Sequence, residues 1–101
     1  MKKKIAILGS TGSIGKTLFK ILKKDKIKFE ITLLTANKNV KELLKQVKIF
    51  KVKNIIITDN KKFLFLKKNL HKSKIKIYNN FDNIDNIFAK IKNDYVMSSI
   101  T

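Results

Sequence analysis

Short apolar runs alternate along this chain with longer stretches in which apolar residues recur every three or four positions. The runs have the length of buried strands, and the recurring pattern is typical of amphipathic helices. The pattern therefore predicts five strands and four helices in alternation. The predicted strands cover 4–8, 29–35, 53–58, 75–78 and 95–100, and the predicted helices cover 14–24, a segment that begins at 40, 60–72 and 82–92.

Each predicted helix has one apolar stripe, which we expect to be buried. Asn39 and Asp59 have side chains suited to cap the second and third helices, and Asp82 suits a cap or first-turn position in the fourth. The stripes are Ile14, Leu18, Ile21 and Leu22 in the first helix, Val40, Leu43, Leu44 and Val47 in the second, Phe63, Leu66 and Leu70 in the third, and Ile84, Ile87, Phe88 and Ile91 in the fourth.

Alternating strands and helices favour a parallel sheet with right-handed crossovers, a Rossmann-type α/β fold. We expect strand order 3-2-1, with the fourth strand beside the first. Residues 1–101 then form one dinucleotide-binding domain. A doubly wound domain usually has six strands, and this chain ends at a strand. We therefore expect the N-terminal portion of a larger, truncated domain, without its catalytic and C-terminal parts.

A glycine-rich turn joins the first predicted strand to the first helix. Gly9, Gly12 and Gly15 are spaced as G-x-x-G-x-x-G, a variant of the dinucleotide-binding fingerprint. Glycines let the backbone turn sharply and approach a ligand, and the helix N-terminus offers unpaired N–H groups to an anion. The turn therefore predicts a phosphate site.

The nearest competing motif is the P-loop, because Gly15-Lys16-Thr17 matches its ending. The first glycine of a P-loop would fall at Ser10, and Gly9 is one residue too early. An extra residue changes the set of N–H groups that surrounds the phosphates. The spacing favours a dinucleotide over a nucleoside triphosphate.

The turn after the second strand bears on the choice of dinucleotide. NAD-binding proteins place a carboxylate there for the ribose, whereas residues 35–39 contain none. Lys38 could pair with a 2′-phosphate, and Asn39 could add a donor, so NADP is favoured. A plain polar turn, with Asn37 left-handed and Asn39 as a cap, fits the same residues.

Composition bears on which classes of function remain possible. The net charge is +17, and all of the 24 basic residues are lysine. A small basic nucleic-acid-binding protein stays an alternative, although arginine is the usual choice for phosphate and guanine recognition. The chain has no cysteine, no metal-binding cluster and no apolar run near the ~18 residues of a membrane span. We expect a cytoplasmic protein, with His71 at the surface and Ser98 and Ser99 near the cofactor or packed under the turn.

Three segments together carry a family resemblance. They are Ile7-Leu8-Gly9-Ser10-Thr11-Gly12-Ser13-Ile14-Gly15, Ala36-Asn37-Lys38-Asn39-Val40, and Asp94-Tyr95-Val96-Met97-Ser98-Ser99-Ile100. The chain resembles about the first quarter of 1-deoxy-D-xylulose 5-phosphate reductoisomerase. In the second segment Asn37 stands where the family has glycine.

The resemblance implies an NADPH-dependent oxidoreductase of non-mevalonate isoprenoid biosynthesis. The family converts 1-deoxy-D-xylulose 5-phosphate to 2-C-methyl-D-erythritol 4-phosphate by rearrangement and hydride transfer, with a divalent metal, Mg or Mn. It implies NADPH contacts at Thr11, Gly12, Ser13, Ile14, Asn37, Lys38 and Asn39, besides the turn glycines Gly9 and Gly15. The metal-binding and catalytic parts of the family lie beyond residue 101, so no catalytic residue is assigned and this chain alone should not catalyse the reaction. A homodimer is compatible with this reading, and a fragment of a semialdehyde dehydrogenase-like oxidoreductase is the alternative.

Overall fold

The computed structural model describes residues 2–82 and 84–98. In these ranges strands and helices alternate, as the apolar pattern predicts. The strands are β1 (Lys3–Leu8), β2 (Phe29–Ala36), β3 (Asn54–Ile57), β4 (Lys76–Tyr78) and β5 (Tyr95–Ser98). The helices are α1 (Ser13–Lys24), α2 (Val40–Phe50), α3 (Asn60–Asn69) and α4 (Ile84–Lys90), with a short 3-10 helix at Lys26–Lys28.

The five strands form one parallel sheet in the order β4-β3-β2-β1-β5. The Rossmann-type fold class is confirmed, but the prediction that the fourth strand lies beside the first is wrong. The chain continues outward from β3 to β4, and only then crosses to the far side of β1 to form β5. The change of direction therefore falls one strand later than expected.

The change of direction divides the helices between the two faces of the sheet. Phe19 of α1, Leu43 of α2 and Leu66 of α3 belong to one buried cluster with strand residues such as Ile5 and Ile55. On the other face, Ile84 and Phe88 of α4 pack against Ala6, Leu33 and Ile56. Right-handed crossovers require this arrangement, because a crossover that runs the opposite way along the sheet places its helix on the opposite face.

The buried side of α1 differs from the predicted stripe. Ile14 and Ile21 are 59% and 58% exposed, whereas Gly15, Phe19 and Leu22 are buried. These three residues have the helical spacing i, i+4, i+7, and they rotate the helix by about one residue relative to the stripe. Contact between Gly15 and the backbone of the glycine turn sets this rotation.

The ends of the helices follow local capping chemistry. The side chains of Asn39 and Asp59 accept hydrogen bonds from Glu42 N (3.1 Å) and Lys62 N (3.0 Å), which confirms both predicted caps. Helix α3 ends at Asn69, earlier than predicted. Asp82 lies two residues before α4, and the position between them is outside the described residues, as are Ser99 and Ile100 of the predicted last strand.

Candidate functional site

The glycine turn and the turn after β2 lie at the same edge of the sheet. Strands β1 and β2 are parallel neighbours, with Ile7 opposite Leu34, so their carboxyl ends meet. One turn follows each strand at that edge. The structure therefore brings together the two groups of predicted cofactor-binding residues, which are Gly9, Thr11, Gly12, Ser13, Ile14 and Gly15 in the first and Asn37, Lys38 and Asn39 in the second.

Hydrogen bonds to the end of β2 hold the start of the glycine turn. Gly9 N donates to Thr35 Oγ1 at 2.8 Å, and Ser10 N donates to the Thr35 carbonyl at 2.9 Å. Ser10 and Thr35 are almost completely buried. The turn is thus attached to the neighbouring strand before the chain enters α1.

Gly15 makes the close approach between α1 and the turn possible. A Cβ atom at this position would lie 2.3 Å from the Gly9 carbonyl oxygen and 2.7 Å from Ser10 backbone atoms. Gly9 has a φ of 78°, in the left-handed region that favours glycine. These two glycines are therefore required by the fold of the turn itself.

Gly12 is different, because nothing in the described protein requires a glycine there. Its φ is −75°, which any residue can adopt, and an added Cβ would lie 3.7 Å from its nearest neighbour, the Gly9 carbonyl oxygen. That separation is ordinary van der Waals contact, and the residue is exposed. A side chain at position 12 would instead cover the surface in front of α1.

The N-terminus of α1 is open to a ligand. Gly12 is the N-cap residue, and within the described chain no side chain caps this helix, in contrast to α2 and α3. The first-turn N–H groups of a helix lack partners within the helix, and the helix dipole adds positive potential there. This end of α1 has the donors and the open surface that bind a phosphate group.

The second turn presents Lys38 at the surface. Lys38 is exposed, and its carbonyl accepts a hydrogen bond from Val40 N at 2.8 Å. The Oδ1 atom of Asn39 is already used in capping α2. Lys38 is therefore an exposed cation beside the glycine turn, on a turn held in place by the start of α2.

Asn37 does not adopt the left-handed conformation considered for it. Among the described residues, positive φ is found only at Gly9 and Lys51. Thr58 at the end of β3 donates a hydrogen bond to Asn37 Oδ1 at 2.8 Å, and Asp59 N donates to the Asn37 carbonyl at 3.0 Å. Asparagine thus fits this position by hydrogen bonds to the end of the next strand, without a positive φ.

Other residues singled out in the sequence lie as follows. Ile14 belongs to the open end of α1 and not to the core. Thr17 Oγ1 bonds back to the Ser13 carbonyl at 3.0 Å, an ordinary contact within a helix. Ser98 pairs with Leu8 at the end of β5, and His71 is exposed after α3.

The sequence analysis did not identify two residues of the site. Thr35 holds the turn from β2, and Gln46 of α2 donates through Nε2 to the Ser10 carbonyl at 2.9 Å. Gln46 is buried beside Val47 and three residues after the buried Leu43, on the apolar side of the helix. The signal in the sequence that could have identified Gln46 is a polar residue at a position on the apolar side of the predicted helix.

The described residues include no group of three or more histidine or acidic side chains that could hold a metal ion. Within the same residues, no helix is long and apolar enough to cross a membrane.

Sequence comparison identifies related proteins. Residues 5–101 match the family described as 1-deoxy-D-xylulose 5-phosphate reductoisomerase. The protein of that name from Pelagibacter ubique is 55% identical over 100 residues, which are 98% of this chain and 26% of the relative. The protein of the same name from Phocaeicola vulgatus is 36% identical over 100 residues, which are 99% of this chain and 26% of the relative. The chain thus spans about a quarter of the length of these relatives.

Solved structures give the same match at the level of the fold. The reductoisomerase from Zymomonas mobilis in complex with NADPH has a TM-score of 0.84 and 28% identity, over 99% of this chain and 26% of that one. A reductoisomerase in complex with NADPH, fosmidomycin and magnesium also has a TM-score of 0.84, at 24% identity, over 97% of this chain and 24% of that one. This second likeness concerns the fold alone.

Proposed function

This chain belongs to the 1-deoxy-D-xylulose 5-phosphate reductoisomerase family, and on that premise we propose that its glycine turn and the N-terminus of α1 bind NADPH. The observation that carries the proposal is the open, uncapped end of α1 behind Gly12. Gly12 has no steric or conformational role within the described protein, so its value lies in leaving room for a ligand. The similar Zymomonas mobilis protein was solved with NADPH, which supports the choice of dinucleotide.

In this proposal each part of the site has one task. The first-turn N–H groups of Ser13, Ile14 and Gly15, with Thr11, donate to the diphosphate, and Gly12 lets it approach the backbone. Lys38 pairs with the 2′-phosphate, while Asn37 and Asn39 shape the turn that carries Lys38. When bound, NADPH supplies a hydride, and this chain's residues bind and orient it.

The test is to titrate the folded chain with NADPH and NADH, before and after Lys38→Ala. Loss of one charged contact is worth about 1.5–3 kcal/mol, so we expect roughly a 10- to 100-fold weaker NADPH affinity. The NADH affinity should not change, because NADH has no 2′-phosphate. Lys24→Ala removes the same charge at the far end of α1 and serves as the control. Equal losses for both nucleotides, or none for NADPH, would contradict the role of Lys38.

For a protein in which this domain is joined to the parts that its relatives carry, we propose the family's reaction. That reaction converts 1-deoxy-D-xylulose 5-phosphate to 2-C-methyl-D-erythritol 4-phosphate. The sugar phosphate, a homodimer and a cytoplasmic location stay predictions for that protein. The family match does not favour a semialdehyde dehydrogenase-like fragment, a nucleic-acid-binding protein or a P-loop enzyme.

A further inference from the structure

Gln46 buries an amide group in the apolar side of α2. Its side chain is 1% exposed, and its Nε2 donates to the Ser10 carbonyl at 2.9 Å. Its Oε1 has no hydrogen-bond partner among the described residues. An apolar side chain would remove this unpaired acceptor but would leave the buried Ser10 carbonyl without a donor, so stability alone does not favour glutamine here. The bond to Ser10 therefore needs an explanation other than stability.

The geometry of the peptide group supplies that explanation. In a planar trans peptide the C=O and the N–H point in opposite directions, and no cis peptide is present in the described chain. The carbonyl of Ser10 points into the core toward Gln46, so the N–H of Thr11 points away from the core. Among the described residues, no acceptor atom forms a hydrogen bond with this N–H. Its direction is toward the exposed side of the turn, where Gly12 lies.

The neighbouring peptides are fixed by other means. Thr35 accepts from Gly9 N and Ser10 N, so β2 holds the peptide groups on the N-terminal side. The Ser10–Thr11 peptide precedes the exposed Gly12, and Gln46 is its anchor in the core. This hydrogen bond restricts the rotation of that peptide plane.

We propose that Gln46 is a positioning residue of the cofactor site, which sets the Ser10–Thr11 peptide plane so that the Thr11 N–H points at the cofactor diphosphate. The inference rests on the proposed binding of NADPH at this turn. It predicts that a residue in the core of α2, which does not touch the ligand, determines a large part of the affinity.

Gln46→Met tests the inference, because methionine has a similar length and no donor. We expect roughly a 10- to 100-fold weaker NADPH affinity, the effect of one misdirected donor to a charged group, with the chain still folded. The matched control is Asn54→Leu at the other end of the sheet. Asn54 is also a buried amide, and its Nδ2 donates to the Thr32 carbonyl at 3.2 Å. This control should leave NADPH affinity unchanged, whatever its effect on thermal stability.

A second readout uses the chain without nucleotide. The residual dipolar coupling of the Thr11 N–H reports the direction of that bond, and we expect it to change in Gln46→Met but not in Asn54→Leu. If Gln46 had a purely structural role, Gln46→Met would lower the stability of the chain without changing the Thr11 coupling. If Gln46→Met fails to fold, Gln46→Leu takes its place in both measurements.

The outcomes separate the two proposals. If the unmodified chain does not bind NADPH, the proposed function fails for this chain, and the Thr11 coupling still decides the role of Gln46. An unchanged coupling in Gln46→Met overturns the inference, and so does an equal loss of affinity in Gln46→Met and Asn54→Leu.

Discussion

Gly12 and Gly15 are identical residues in the same motif, yet they have different tasks. Gly15 lies against the backbone of Gly9 and Ser10, where a Cβ would come within 2.3 Å of an oxygen. Gly12 has 3.7 Å of space to the same oxygen and faces outward. One glycine serves the packing of the turn, and the other serves the ligand.

Substituting alanine at each position should separate these tasks. Gly15→Ala should destabilise the chain by about 3 kcal/mol or more, because backbone atoms on both sides must move. Gly12→Ala should cost at most about 1 kcal/mol, the difference between glycine and alanine at an N-cap, but should weaken NADPH binding. Urea unfolding and nucleotide titration measure the two effects. A Gly12→Ala variant that binds NADPH like the unmodified chain would remove the main argument for the site.

At the scale of elements, sequence patterns predicted the existence and type of each α-helix and strand, though not the short 3-10 helix, because apolar spacing and capping residues act locally. They did not predict the rotation of α1, since that depends on contact between Gly15 and a turn formed by another segment. They also placed β4 wrongly, because the apolar pattern does not say on which side of the sheet a strand joins. Likewise the two turns of the site were predictable from the sequence. Gln46 was not, because in the sequence it is a single polar residue on the apolar side of a helix.

The end of α2 offers a prediction at this scale. Its C-cap residue, Lys51, has φ 53° and ψ 48°, a left-handed conformation that costs a residue with a side chain about 1–2 kcal/mol. Glycine avoids this cost but loses about 0.5–1 kcal/mol in backbone entropy, so Lys51→Gly should stabilise the chain by about 0.5–1 kcal/mol. The control is Lys48→Gly in the last turn of the same helix, which should destabilise by about 1 kcal/mol. Urea unfolding of both variants checks the opposite signs, and destabilisation by Lys51→Gly would contradict the assigned backbone conformation.

The molecule as a whole carries a large excess of positive charge. A net charge of +17 is spread over a body with a radius of gyration of 12.5 Å. Like charges at these distances repel one another in the folded state more than in the expanded chain. The overall charge therefore affects stability, and of the lysines the proposed site uses Lys38 alone.

Salt should consequently stabilise this chain. Raising sodium chloride from about 0.01 M to about 1 M shortens the screening length from about 30 Å to about 3 Å. We expect the Tm to rise by about 4–8 °C, which corresponds to a relief of roughly 1 kcal/mol in a domain of this size. Circular dichroism melting at a series of salt concentrations checks this. A Tm that does not rise with salt would contradict the repulsion.

The pairing of β5 with β1 has a consequence for the order of events during synthesis. Lys4 N donates to Asp94 Oδ2 across 90 positions of sequence, and Tyr95–Ser98 pair with the strand that leads into the glycine turn. During synthesis β1, its turn and α1 leave the ribosome long before β5. One edge of β1 therefore stays unpaired until β5 has emerged. Among the described strands β5 is therefore the last to join the sheet, and the strand that leads into the glycine turn keeps one edge unpaired until nearly all of the described residues have emerged.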